Sequence, residues 1–286
     1  MLNSIPQSYR DSNESQKIHY QEEYTKVLGM EWNMVSDCFR PMVPEFKLNE
    51  TLTKRVLVSN IARLYDVLGW YSPTIILMKI LLQRLWELNL TWDESVPKDI
   101  VSTWKKWHMQ LRDLKDFRIP RTYFPKDVVV TKELQLHGFC DASEVAYSGV
   151  VYIRMKDQEG NIHVAMVVAK TKVAPIKRLS VPRLELCGAM ILAKLLSHAA
   201  KVLKVSSSNI FAWTDSRVTL GWLQGNPKRF LTFVGNRIAE ISETIPVACW
   251  RHVKGTENPA DCASRGIFPA ELAEHNIWWK GPQCMA

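Results

Sequence analysis

Cysteine is sparse in this chain, and no two cysteines are spaced as a metal knuckle. The six, Cys38, Cys140, Cys187, Cys249, Cys262 and Cys284, are scattered, with no Cys-x-x-Cys pair and no histidine at zinc spacing. That excludes a structural zinc module and favours free thiols in a reducing compartment. Long apolar runs are also lacking. The most apolar stretch, Thr74 to Leu82, is interrupted by Lys79 and falls far short of the ~20 residues that span a bilayer, so it reads as a buried helix and no membrane partner is expected. The stretch from Met1 to Glu23 is polar and has no signal-peptide core. Residues 1–22 therefore read as a disordered leader, and an intracellular location, cytoplasmic or nuclear, is expected. Internal repeats and low-complexity tracts are absent, which removes solenoid and fibrous architectures.

What is present suits one large domain or two ordinary ones: 286 residues, of which 47% are hydrophobic, enough to fill a core. The formal charge of +8 favours a polyanionic partner, because phosphates neutralised by Lys or Arg release condensed counterions.

Two textures follow one another. From Tyr24 to Phe46 short apolar pieces such as Val27-Leu28-Gly29-Met30-Glu31-Trp32 suit strands and turns. Apolar spacing then predicts three helices: Thr51 to Leu68 with Gly69 as its stop, Thr74 to Leu88 opened by Ser72-Pro73, and Pro97 to Leu111 with Trp104 and Trp107 on one side. Pro120 and Pro125 mark a boundary near Arg121. Beyond it, Glu133 to Cys140, Gly149 to Met155 and Ile162 to Lys170 read as three antiparallel strands. A long helix from Pro182 to Leu203, a strand from Asn209 to Thr214, a helix from Lys228 to Ser242 and a strand from Val247 to His252 follow. The order βββαβαβα implies a mixed five-stranded α/β sheet flanked by helices, preceded by a smaller, mostly helical segment.

Four acids stand at telling places in that order. Asp141 follows the first strand and Asp215 ends the apolar run Ile210-Phe211-Ala212-Trp213. If those strands are parallel neighbours joined by a right-handed helical crossover, both carboxylates emerge at one carboxyl edge. Glu185 shares a helical stripe with Gly188, Ala189, Leu192 and Leu196, the stripe that should face the sheet, where a carboxylate without partners is costly. Asp261 follows the turn Asn258-Pro259, which can return it to the same edge. Four carboxylates at one edge repel unless cations hold them, and an all-oxygen set suits Mg²⁺ or Mn²⁺ rather than zinc. Two such ions, roughly 4 Å apart, can activate water and stabilise the leaving oxygen of a phosphodiester. Each acid alone has a plainer role open to it, as a helix cap for Asp141, Asp215 and Asp261 and as a dipole partner for Glu185.

The segments Phe139-Cys140-Asp141-Ala142-Ser143, Arg183-Leu184-Glu185-Leu186, Trp213-Thr214-Asp215-Ser216 and Asn258-Pro259-Ala260-Asp261-Cys262-Ala263-Ser264-Arg265-Gly266 resemble the ribonuclease H region of Bel/Pao-type LTR retrotransposon polyproteins. Upstream, Lys26 to Trp32 and Ile61 to Gly69 resemble the end of a reverse transcriptase palm and the thumb-like region after it. After the leader over 1–22 read from composition, the resemblance implies a reverse transcriptase C-terminal segment over 23–121, an RNase H-like domain over 122–266 and a connector toward an integrase over 267–286. It further implies that Asp141, Glu185, Asp215 and Asp261 hold two Mg²⁺ ions, with Mn²⁺ as a substitute, and that His252 assists proton transfer or product release on the loop Lys254-Gly255-Thr256-Glu257. The implied substrate is an RNA/DNA hybrid, and the implied partners are the remaining parts of a pol polyprotein. Ser143, Ser216 and Asn258 are candidates for 2′-hydroxyl contacts, with little base reading expected. Lys170, Lys172, Lys177, Arg178, Lys228 and Arg229 are candidates for phosphates, and a solvated basic surface is the ordinary alternative. No Tyr-x-Asp-Asp motif is present, so DNA synthesis by this chain alone is not expected.

Three rival readings compete with a nuclease. An aspartic peptidase would need Asp-Thr/Ser-Gly loops, which neither Asp141-Ala142-Ser143 nor Asp215-Ser216-Arg217 provides. A DDE-type transposase or integrase core would present a different acid order. A catalytically inactive or domesticated nucleic-acid-binding remnant would keep the same acids, so only a cleavage assay separates it from an active nuclease.

Overall fold

The short apolar pieces after residue 23 pair into an antiparallel meander of β1 (Tyr24–Val27), β2 (Met30–Asn33) and β3 (Cys38–Pro41). The computed structural model describes residues 24–44, 46, 51–114, 117–124 and 133–285, so the leader expected over 1–22 lies outside them. Three helices follow: α1 (Lys54–Ala62), α2 (Ser72–Glu87) and α3 (Lys98–Gln110). Thr53 caps α1 by accepting from the Val56 N–H at 3.3 Å, and Pro73 opens α2 where a missing N–H costs nothing. After α3, β4 (Ile119–Pro120) returns to pair with β3.

The first helix stops well short of the expected Leu68. Asp66 bends the chain, its carboxylate accepting the Tyr71 N–H at 3.0 Å, and Gly69 adopts φ +76°. A Cβ at Gly69 would stand 1.9 Å from the Ala169 carbonyl oxygen. The bare backbone is what lets Leu68 accept the Ala169 N–H at 2.8 Å, fastening this turn to the edge of the main sheet.

That sheet contains β5 (Gln135–Ala142), β6 (Ala146–Lys156), β7 (Ile162–Val173), β8 (Ile210–Thr214) and β9 (Trp250–His252) in the order β7-β6-β5-β8-β9. β5 and β8 are parallel neighbours, as are β8 and β9, while β5-β6 and β6-β7 are antiparallel. The expected mixed five-stranded sheet is therefore present. The crossover between β5 and β8 is completed by α4 (Val181–Leu203), whose buried stripe Glu185, Gly188, Ala189, Leu192 and Leu196 faces the sheet. By length and composition α4 is apolar enough to cross a membrane; here that surface packs against β5 and β6. Next come α5 (Arg217–Gln224) and α6 (Thr232–Thr244). The pattern had merged α6 with the preceding turn, which Asn226 caps by accepting the Lys228 N–H at 3.0 Å, and it had missed α5.

Beyond β9 the chain forms α7 (Asp261–Arg265), α8 (Pro269–Glu274) and α9 (Asn276–Lys280). Two cores lie on opposite faces of the sheet. Leu136, Val151, Ile153 and Ala212 pack with Leu192, Leu196 and Ile238 on one side. On the other, Phe139, Val150, Tyr152 and Met166 share a cluster with Leu57, Met78, Trp107, Ala263 and Trp278. The early helices and the C-terminal turns thus cover the second face together.

Candidate active site

Topology sets the site. Because β5 and β8 run in parallel register, Cys140 opposite Thr214, the next residues, Asp141 and Asp215, leave the two central strands at the same carboxyl edge. Glu185 arrives from the first turns of α4. It comes close because Gly188 has no side chain: a Cβ there would meet the Asp141 carbonyl oxygen at 3.0 Å and that of Ser148 at 3.3 Å. Carboxylate oxygens of Asp141, Glu185 and Asp215 all lie within 4.8 Å of one another.

Asp261 stands at the rim of this trio and is not part of the tight cluster. Its Oδ1 accepts the Arg265 Nε–H at 2.6 Å, one turn along α7. α7 itself is fastened over the end of β5. Ser148 Oγ donates to the Ala260 carbonyl at 2.9 Å, Ser143 Oγ to the Ser264 carbonyl at 2.7 Å, and Asn258 Nδ2 to the Cys140 carbonyl at 3.0 Å. Ser264, fully buried, donates its hydroxyl to Asp141 Oδ2.

Crowding three acids in a half-dry edge has an electrostatic consequence. Burial first, then the charges of Asp141 and Asp215, push the Glu185 carboxyl up to about 9. Burial also lifts Asp141 to about 7, against the Ser264 hydrogen bond and with the help of Asp215 and Asp261. Asp215 is raised by burial too, opposed by backbone and Asn258 hydrogen bonds and by neighbouring His252. Glu185 Oε2 and Asp215 Oδ1 are buried with no hydrogen-bond partner. Two orphaned carboxylate oxygens inside an all-oxygen cluster are what a hard divalent cation would satisfy, so the residues fit such an ion.

The other candidates are placed as follows. His252 is exposed at the end of β9, opposite Thr214 and so beside Asp215. The loop after it is a short 3-10 turn, Gly255–Glu257, and Gly255 lies against Asp215, where a Cβ would be 3.2 Å from Oδ2. Asn258 is buried, with its Oδ1 taken by the Ala260 N–H at 3.1 Å. Its amide thus ties the end of β5 to the chain entering α7. The Ser216 hydroxyl caps α5 by accepting the Thr219 N–H at 3.2 Å, and Ser143 is half-buried beneath α7. Lys177 and Arg178 are exposed on the loop before α4, Lys228 and Arg229 on the turn before α6, and Lys170 and Lys172 on β7. None of the six belongs to the carboxylate cluster. Sequence reasoning missed Ser264, which could have been found as a small hydroxyl residue spaced beside Asp261.

A sheet of this order, with three carboxylates gathered where its parallel central strands end, defines an RNase H-like domain carrying an acidic, divalent-metal-compatible centre. The chain belongs to the family described as Pao retrotransposon-like RNaseH-like domain, whose model matches residues 53–216. The match begins in the helical segment and ends just after Asp215. A search of curated proteins returns no match. Among solved structures the chain is similar to RNase H1 of the halophilic archaeon Halobacterium salinarum, at 13% identity over 43% of this chain and 86% of that one, with a TM-score of 0.27. It is also similar to LC11-RNase H1 in complex with RNA/DNA hybrid, at 14% identity over 44% and 88%, TM-score 0.29. A foamy viral protease-reverse transcriptase in complex with double-stranded DNA aligns at 11% identity over 82% of this chain and 38% of that one, TM-score 0.25.

Proposed function

We propose that this chain is a ribonuclease H-type endonuclease that hydrolyses the RNA strand of RNA/DNA hybrids, derived from a retrotransposon pol polyprotein, with the RNase H-like unit at about residues 122–266. One observation carries this reading: Asp141, Glu185 and Asp215, far apart in sequence, bring carboxylate oxygens within 4.8 Å at the carboxyl edge of the sheet.

Asp141, Glu185 and Asp215 would hold Mg²⁺, or Mn²⁺ in its place, with Asp261 as the fourth acid at the rim. When bound, a pair of such ions supplies Lewis acidity to the attacking water and to the leaving 3′ oxygen. The protein's share is geometric. β5 and β8 fix two carboxylates on rigid strand ends, and the close approach at Gly188 fixes the third. Partial burial strengthens their pull on a cation relative to exposed acids. His252, exposed beside Asp215, would assist proton transfer or product release. Lys177, Arg178, Lys228 and Arg229 would meet backbone phosphates, and Ser143 and Ser216 stand near enough to the acids to remain candidates for sugar contacts.

The test is cleavage of an RNA/DNA hybrid in Mg²⁺ by wild type and by Asp215→Asn. Cleavage is expected from the wild type, with a loss of at least ~100-fold in the variant, on the scale expected when a charged transition-state stabiliser is removed. A wild type that binds the hybrid yet fails to cut it would replace the nuclease reading with that of a binding module.

A further inference from the structure

α7 meets the acidic site through a residue besides its own acid. Asp261 Oδ1 pairs with Arg265 at 2.6 Å, and Ser264, three residues on and fully buried, reaches Asp141 Oδ2 with its hydroxyl. The same hydroxyl lies 3.0 Å from the Asp261 carbonyl oxygen. It has one proton and two acceptors, and once Asp141 is ionised, as it must be to hold a cation, its carboxylate outcompetes a carbonyl for that proton because the bond is charge-assisted. Ser264 is itself held from below, its carbonyl accepting the Ser143 hydroxyl at 2.7 Å.

We propose that Ser264 is a positioning residue that fixes the Asp141 carboxylate for metal binding, so that α7 contributes to the first ion through this hydroxyl. This inference rests on the metal-dependent reading of the site. A carboxylate on a strand end has two torsions to settle. With Oδ2 pinned by Ser264, the carboxylate is held in one orientation within the cluster it forms with Glu185 and Asp215. Removing such an outer-sphere hydrogen bond to a metal-ligating group costs about 10–100-fold in metal affinity.

The test is Mn²⁺ binding to the whole chain, followed by calorimetry and by the loss of free Mn²⁺ electron-spin signal, in wild type, Ser264→Ala, Ser148→Ala and Asp141→Asn. Ser148→Ala removes a comparable buried hydroxyl whose hydrogen bond goes to the Ala260 carbonyl at 2.9 Å and not to a carboxylate, so it reports what loosening α7 does by itself. Circular dichroism and the melting temperature establish that each variant is folded. The expected result is an affinity loss of about tenfold or more in Ser264→Ala, within about twofold of wild type in Ser148→Ala, and near-complete loss in Asp141→Asn. Partial recovery by Ser264→Cys, which keeps a weak donor of similar size, is expected as well. Equal losses in Ser264→Ala and Ser148→Ala would reduce Ser264 to a structural rivet, and wild-type affinity in Ser264→Ala would overturn the proposal outright. A wild type that binds no Mn²⁺ would instead overturn the metal-dependent reading on which it rests.

Discussion

At the scale of single residues, the site is a cluster of acids held in an uncomfortable state. Glu185 is pushed up to about 9 and Asp141 to about 7, chiefly by burial and then by neighbouring carboxylates. Without metal, Glu185 therefore carries its proton near neutral pH and Asp141 carries one part of the time. A carboxyl whose folded pKa lies above its unfolded value binds protons more tightly when folded. Its contribution to stability is complete below about pH 4 and is lost as pH rises through the folded value. Metal-free protein is accordingly expected to lose melting temperature from about pH 4 upward, with the slope easing near pH 7 and levelling off near 9. Mg²⁺ should offset that loss, and by more at the higher pH, since cation binding must expel the protons. Scanning calorimetry across this range, with and without Mg²⁺, checks both signs; a Mg²⁺ increment that shrinks as pH rises would contradict the protonated ground state. Asp66, raised to about 7 by burial in the turn before α2, should add to the decline without responding to Mg²⁺.

At the scale of elements, close approach decides function more than propensity does. α4 carries Glu185 into the site because Gly188 lies against Asp141 and Ser148 backbone, with room for a Cβ only at 3.0 and 3.3 Å. Gly188→Ala would gain about 1 kcal/mol of helix propensity and spend it on moving the first turn of α4 outward by a few tenths of an ångström. The expected outcome is a melting temperature close to wild type with a several-fold fall in Mn²⁺ affinity; unchanged affinity would show that Glu185 tolerates the shift. Much of this was legible in the chain. Alternation and turn residues revealed β5, β6 and β7, and the stripe Glu185, Gly188, Ala189, Leu192 and Leu196 revealed which side of α4 faces the sheet. What stayed hidden depended on tertiary bonds. The early end of α1 comes from the Asp66 turn and from Gly69 meeting β7, neither of which alters apolar spacing. α5 is only eight residues long, signalled just by Ser216 as its cap and by buried Thr219 and Leu223. The pairing of Asp261 with Arg265 belongs to a five-residue helix too short for apolar spacing to reveal.

For the whole molecule, the decisive feature is that the second face of the sheet has no core of its own. Tyr152 and Phe139 on that face share one apolar cluster with the helices before the sheet and the turns after it. Trp278 in α9 is the centrepiece of this cluster. It is fully buried, donates its indole N–H to the Trp70 carbonyl at 2.8 Å, and accepts the Tyr152 hydroxyl on its own carbonyl at 2.6 Å. One residue thus touches the turn leading into α2, the central sheet and the C-terminal segment. Truncating a buried tryptophan to alanine costs about 3–5 kcal/mol, a large fraction of the ~5–15 kcal/mol that holds a typical domain together. Because the cluster is shared, the loss should be felt everywhere at once. Trp278→Ala is expected to lower the melting temperature by roughly 10 °C, at ~2–4 °C per kcal/mol for a chain of this size, while keeping a single transition. Tryptophan fluorescence weights the helical layer, with Trp70, Trp86, Trp92, Trp104 and Trp107, and Mn²⁺ release reports the carboxyl edge of the sheet. Coincident midpoints from the two probes would mean that the helical segment and the sheet unfold as one body, so that the boundary near residue 121 divides the chain by topology and not by stability. If fluorescence changes first and the sheet still holds Mn²⁺ at higher temperature, the helices are a detachable layer and the RNase H-like unit stands without them.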